Sequence, residues 1–170
     1  MSVGEREMRR EGKHSMAAID RATFADIEEL VELRLGYLSE DFGELSDEQR
    51  REISAELVPY LRFHLGRDLR VTVARTDECI ACTAWLLLVD KPPSPRFPHG
   101  RTGVLFNVFT RSTHRRQGLA RRVMQELLDD ARTMGLDVVE LHATDDGYEL
   151  YKSLGFADDS SSHRPMRLML

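Results

Sequence analysis

The sequence predicts a single mixed α/β domain of order β-α-α-β-β-β-α-β-α-β-β, a mixed central sheet with helices on both faces. Three observations carry this. Residues 118–134 place Leu119, Val123, Leu127, Ala131 and Met134 on one helical face with Arg and Asp opposite, and a strand-like run, residues 138–143 (VVELHA), follows directly. Residues 70–74 (RVTVA) and 80–89 are rich in strand formers around a polar Thr76-Asp77-Glu78 turn, the pattern of an antiparallel hairpin. Two helix-start signals, Thr23 to Asp26 and Ser46 to Gln49, precede that block.

Taken in chain order, residues 16–22 (MAAIDRA) form a short apolar run suited to a first strand. Ile27, Leu30, Val31, Leu35 and Leu38 recur at three- and four-residue spacing and make helix one; Ile53, Leu57, Leu61 and Leu65 make helix two, where Pro59 predicts a kink or a break. After the hairpin, Pro92, Pro93, Pro95 and Pro98 mark a long loop before a third strand, residues 103–110 (GVLFNVFT). The amphipathic helix ends near Gly135, residues 146–154 form a short helix stopped by Gly155, and residues 166–170 read as a final strand. Alternation of helix and strand in this half implies at least one parallel pairing.

The chain has 170 residues, 41% of them apolar, and 24 Lys+Arg against 29 Asp+Glu, a net charge of −5. A chain this long buries about 70% of its unfolded surface, so one domain over residues 16–170 needs neither disulfides nor a metal. No apolar stretch approaches the roughly 20 residues of a membrane span. Residues 1–15 are polar and mixed in charge, which predicts a disordered lead rather than a secretory signal, and hence a cytoplasmic protein. The acidic balance argues against a general nucleic-acid binder.

One segment opposes that balance. Residues 111–122 (RSTHRRQGLARR) hold five Arg and no acid, between a strand and a helix. Gly118 and the small Ala120 let first-turn N–H groups approach a ligand; these lack intrahelical partners, and with the positive helix end they suit a phosphate or pyrophosphate. Neither G-x-x-x-x-G-K-[ST] nor G-x-G-x-x-G is present.

The spacing Arg115-x-x-Gly118-x-Ala120, after the strand Asn107 to Thr110 and before Tyr151-x-x-x-Gly155-Phe156, resembles the GCN5-related N-acetyltransferase (GNAT) family. Its acetyl-CoA loop reads [Q/R]-x-x-G-x-[G/A], and its late helix commonly ends in Tyr-x-x-x-Gly-Phe. The resemblance covers residues 16–170 and departs at Thr144, where many members carry Asn. It implies transfer of acetyl from acetyl-CoA to a primary amine, of a small molecule or a peptide, in a ternary complex without a metal. Backbone groups of Val108, Phe109 and Thr110 would meet the pantetheine arm; Arg115, Arg116, Gln117, Gly118, Leu119 and Ala120 would wrap the pyrophosphate.

Such a reaction needs the carbonyl oxygen stabilised, the ammonium deprotonated and the leaving thiolate protonated. Tyr151 is the expected acid, because a phenol of pKa about 10 can protonate a thiolate whose conjugate acid lies near 8.5. His142 and Asn107 are the candidates to face substrate or serve as base, and Tyr148 is expected to pack. The acceptor pocket is expected around residues 35–65 and 91–101, with Glu40, Asp41 and Glu44 available to a cationic acceptor. Cys79-Ile-Ala-Cys82 lies in a strand, where residues three apart diverge, so both are expected to be structural thiols, and the scattered His residues indicate no metal. Two rivals remain: a non-catalytic module that senses CoA or acyl-CoA, and an Arg-rich helix that binds nucleic acid. An exposed strand at the C-terminal edge would permit a homodimer.

Overall fold

The computed structural model describes residues 16–160 and 166–170. Five strands form one sheet in chain order: β1 (Ala18–Arg21), β2 (Leu69–Arg75), β3 (Ile80–Asp90), β4 (Arg101–Thr110) and β5 (Val138–Leu141). The first four pair antiparallel, the β2–β3 hairpin as expected, and β4 pairs parallel with β5. Helices α1 (Ile27–Phe42) and α2 (Asp47–His64) pack on one face with Trp85, Val71 and Val73; α3 (Leu119–Thr133) and α4 (Asp145–Ser153) pack on the other with Leu86, Leu105 and Ala84. The mixed α/β architecture with helices on both faces is therefore the observed one.

Acidic residues of its first turns dock α1 on the sheet. A single 3₁₀ turn, Phe24–Asp26, leads in; Thr23 N–H donates to Asp26 Oδ2 at 2.7 Å, and Arg75 of β2 donates to both Asp26 oxygens at 2.9 and 3.1 Å. One turn on, Glu29 Oε1 accepts from Ile80 N–H at 2.6 Å, tying α1 to the start of β3. Further along, Gly36 lies so close to β4 that a Cβ there would sit 3.0 Å from the Phe109 ring.

Ser46 and Gln49 form the expected capping box of α2, each accepting from the other's N–H. Of the kink or break expected at Pro59, the break does not occur, since the helix runs from Asp47 to His64. A proline in a helix costs about 3 kcal/mol. Leu57, Val58, Tyr60 and fully buried Leu61 hold both flanking turns in the core, which offsets it.

At the C-terminus the expected final strand is not formed: residues 166–170 carry no strand, and Met166, Leu168, Met169 and Leu170 are exposed. A strand forms only against a partner edge, and residues 166–170 pair with none of the five described strands. The strand-edge argument for a homodimer loses its basis. The expected lead, residues 1–15, lies outside the described residues.

Two irregularities of β4 place the site. Its ladder with β5 runs only from Thr102↔Val138 to Leu105↔Leu141, whereas β4 continues to Thr110, so its β5-side edge is unpaired beyond Leu105. On the β3 side, Trp85 faces Phe106 and Thr83 faces Phe109, leaving Asn107 and Val108 opposite Ala84 alone, a β-bulge. Asn107 has φ of 51° there, a conformation Asn tolerates better than most residues.

Candidate functional site

The parted strands open onto a loop that ends at the N-terminus of α3. Arg116 and Gly118 are both left-handed, with φ of 59° and 73°, and Gly118 caps the helix. A Cβ on Gly118 would meet nothing within 4 Å, so its glycine serves backbone conformation, not space. The first bond of the helix runs from Arg122 N–H to Gly118 O at 3.2 Å, and the N–H groups of Arg116 to Arg121 meet no acceptor among the described residues. Consecutive unpaired N–H groups at a positive helix end form an anion cradle.

Side chains matter less here than their number in the sequence implies. Leu119 is buried, and Ala120 packs against the same α3-face core. Arg111 pairs with Glu29 and Glu32 at 3.0 and 3.5 Å, and Arg115 with Glu40 while donating to Thr110 O at 3.0 Å. Arg121 donates to Ser153 and Arg122 to Ala17 O. Arg116 alone of the five has no partner among the described residues. The basic stretch is therefore largely spent on the fold, and Glu40 is spent with it. Among the β4 residues, Val108 faces the α3 side, Phe109 the α1 side, and Thr110 donates its hydroxyl to Cys82 Sγ at 3.1 Å.

Across the parted strands, Tyr151 of α4 is mostly buried. It packs edge-on against Phe156 at 5.9 Å and over Gly147, where a Cβ would come within 2.7 Å of its ring. Its hydroxyl makes no hydrogen bond among the described residues. Burial raises its pKa, and neighbouring Tyr37 of α1 adds to the rise, so the proton stays on well past neutrality. Tyr148, by contrast, donates to the exposed Asp158 at 3.0 Å. Thr144 caps α4, accepting from Gly147 N–H at 3.3 Å.

Of the two base candidates, His142 follows the last residue of β5, exposed and without a partner among the described residues. Asn107 is 1% exposed; its Oδ1 accepts from Arg34 at 3.2 Å and its Nδ2 has no partner. A carboxamide is not basic at neutral pH, which removes Asn107 from the candidate bases. The loop between β3 and β4 lies at the far end of β4, about 20 Å of strand away from the bulge. There Lys91 pairs with Glu140, and His99 with Asp137, at 2.9 and 2.7 Å, so this loop does not wall the site.

Sequence reasoning reached α1, expecting an acceptor pocket around residues 35–65, but passed over Arg34 just before that range. Arg34 reaches Asn107 and lies over the rings of Tyr37 and Phe106 at 5.3 and 6.0 Å. Its only sequence signal is an Arg within a helix turn otherwise committed to the core. Cys79 and Cys82 are both free, and burial pushes the Cys82 thiol up to about 11. Among the described residues no cluster of three or more His, Cys, Asp or Glu is placed to hold a metal, and no helix is long and apolar enough to cross a membrane.

The Acetyltransferase (GNAT) family pattern matches residues 27–156. Among solved structures the chain is similar to a predicted acetyltransferase with acetyl-CoA from Clostridium acetobutylicum: 28% identity, TM-score 0.76, 89% of this chain and 96% of that one covered. It is also similar to a GCN5-related N-acetyltransferase from Ralstonia eutropha JMP134 (18%, TM-score 0.74, 88% and 97%). A third similar structure is the glucosamine-6-phosphate N-acetyltransferase of Arabidopsis thaliana (22%, TM-score 0.65, 88% and 97%). No curated protein matches.

Proposed function

Because the chain belongs to the Acetyltransferase (GNAT) family, we propose that it transfers acetyl from acetyl-CoA to a primary amine by direct attack, with both substrates bound together. The observation that carries this reading is the run of unpaired N–H groups from Arg116 to Arg121 following the unpaired edge of β4. Acetyl-CoA supplies the activated thioester and the polyanion that such a cradle suits. In this reading the loop N–H groups hold the pyrophosphate, and the backbone of Val108 to Thr110 aligns the pantetheine arm and donates to the carbonyl oxygen.

Tyr151 gives its proton to the departing thiolate. Its unpaired hydroxyl and upward-shifted pKa suit a donor that keeps its proton through the neutral range. His142 takes the proton of the incoming ammonium, directly or through water. No residue acts as a covalent carrier, because Cys82, the thiol closest to β4, is buried and protonated. The acceptor is a small-molecule or peptide amine. The compartment is the cytoplasm, in keeping with two free thiols.

Tyr151→Phe tests the reading. Turnover should fall by roughly 10²–10⁴-fold with CoA affinity unchanged, and wild-type activity should not decline through tyrosine ionisation below about pH 10. An unaltered rate would remove Tyr151 from the chemistry. CoA binding without turnover of any amine by the wild type would mark a sensing module instead.

A further inference from the structure

Arg34 is a cation on the α1 side of β4, at its bulge, with most of its hydrogen-bonding capacity unspent. A guanidinium carries five N–H donors in a planar fork. Only one is used, toward Asn107 Oδ1 at 3.2 Å. Arg75 and Arg111, also partly buried on this face of the sheet, meet carboxylates at 2.9 and 3.0 Å. For Arg34 no carboxylate lies within 4 Å among the described residues; Asp41 acts on it only at longer range. Burial correspondingly pushes the pKa of Arg34 down, against the rise that Asp26 gives Arg75.

Its position is as informative as its lack of a close counter-ion. Asn107, its one partner, is the left-handed bulge residue just past the point where β4 parts from β5. Tyr37, one turn further along α1, is near enough to Tyr151 to raise its pKa. Arg34 therefore lies between the end of the β4–β5 ladder and the expected proton donor. The faces of Tyr37 and Phe106 border its guanidinium, and Tyr60 of α2 is a further neighbour. A flat, partly desolvated cation bordered by rings binds a planar or tetrahedral oxyanion better than it binds water.

We propose that Arg34 anchors an oxyanion, carboxylate or phosphate, carried by the acceptor amine, so that the preferred substrates are amines with an acidic group. The inference rests on the transferase reading above and adds the substrate class. The anchor fixes one end of the acceptor and turns its amine toward the thioester, while the bond to Asn107 holds the guanidinium in place. Arg34 is in this sense a specificity-determining residue.

The test measures kcat and KM on a panel of primary amines of two to six carbons. Each amine is supplied in three versions, bearing a carboxylate, a phosphate ester or a hydroxyl in the same place. Wild-type kcat/KM should favour an acidic version by roughly tenfold to a hundredfold over its hydroxyl counterpart, and whichever of carboxylate or phosphate is preferred identifies the anion. Arg34→Met should abolish that preference, chiefly through KM, with hydroxyl amines and CoA affinity little changed, and Arg34→Lys should restore part of it. An Arg34→Met loss spread equally over all three versions would make Arg34 a brace for the bulge and overturn the inference. So would a wild-type preference for hydroxyl amines, and both leave the transferase reading standing. Absence of acetylation of every amine, with CoA bound, overturns both.

Discussion

The two sides of the sheet where β4 parts from β5 are built from different materials. The α3 side offers backbone: N–H groups from Arg116 to Arg121 and the open edge of β4, with Leu119 and Ala120 turned into the core. The α1 side offers side chains: Arg34, Tyr37 and the amide of Asn107, held by a helix that is itself pinned to the sheet. Backbone recognition suits a ligand that is the same for every member of a fold, because it survives changes of side chain. Side-chain recognition suits a ligand that differs. The contrast explains why one side is readable from residue spacing and the other is not.

Breaking the backbone side should cost most. Gly118→Val puts a β-branched residue at φ of 73°, where only glycine is comfortable. CoA affinity, measured by calorimetry, should fall roughly tenfold to a hundredfold. Arg116→Ala, which removes an unpartnered side chain from the same loop, should change it by less than about threefold. A larger effect for Arg116 than for Gly118 would reverse the comparison.

The α1 side should instead be sensitive to where its helix lies. Gly36→Val adds bulk 3.0 Å from the Phe109 ring and should cost about 1–3 kcal/mol in urea unfolding. It should raise the acceptor KM more than it weakens CoA. Equal effects on both ligands would show that α1 does not set the acceptor side separately.

The smallest effect should come from the anchor of α1. Burial opposes ionisation of Asp26, but Arg75 and Thr23 outweigh it and hold the pKa below 3.8. A carboxylate with a lowered folded pKa contributes stability that is fully present above about pH 4, its unfolded value, and is lost as pH falls through the folded one. Asp26→Asn should cost about 1–2 kcal/mol at pH 7, and the difference from wild type should shrink below pH 4. A difference independent of pH would assign the loss to packing instead.

What could be read from the sequence follows the same division. The β2–β3 hairpin, α3, α4 and the parallel pair all have local signatures, and so do Gly118 and Tyr151. The counter-ions of Arg111 and Arg115 do not, because Glu29, Glu32 and Glu40 come from a helix about 80 residues earlier in the chain. Arg34 was hidden for the opposite reason, since its meaning lies in a partner it lacks. Asn107 stands among the sequence candidates, but the bulge it makes does not, although a lone amide within a strongly apolar strand is its signal. Residues 166–170 are apolar enough to read as a strand, but they pair with no described strand.

The bulge at Asn107 also acts as an inserted letter in the reading frame of β4. Leu105 and Val108 both pack on the α3 face, and Phe106 and Phe109 both on the α1 face, although in an uninterrupted strand residues three apart point to opposite sides. The extra residue resets the frame midway. Deleting position 107 would thus leave Val108 and Phe109 on the sides they now face and remove only the bulge; straightening the strand with Asn107 kept would instead swap them, leaving Gly36 with no ring to lie against and putting Val108 under α1.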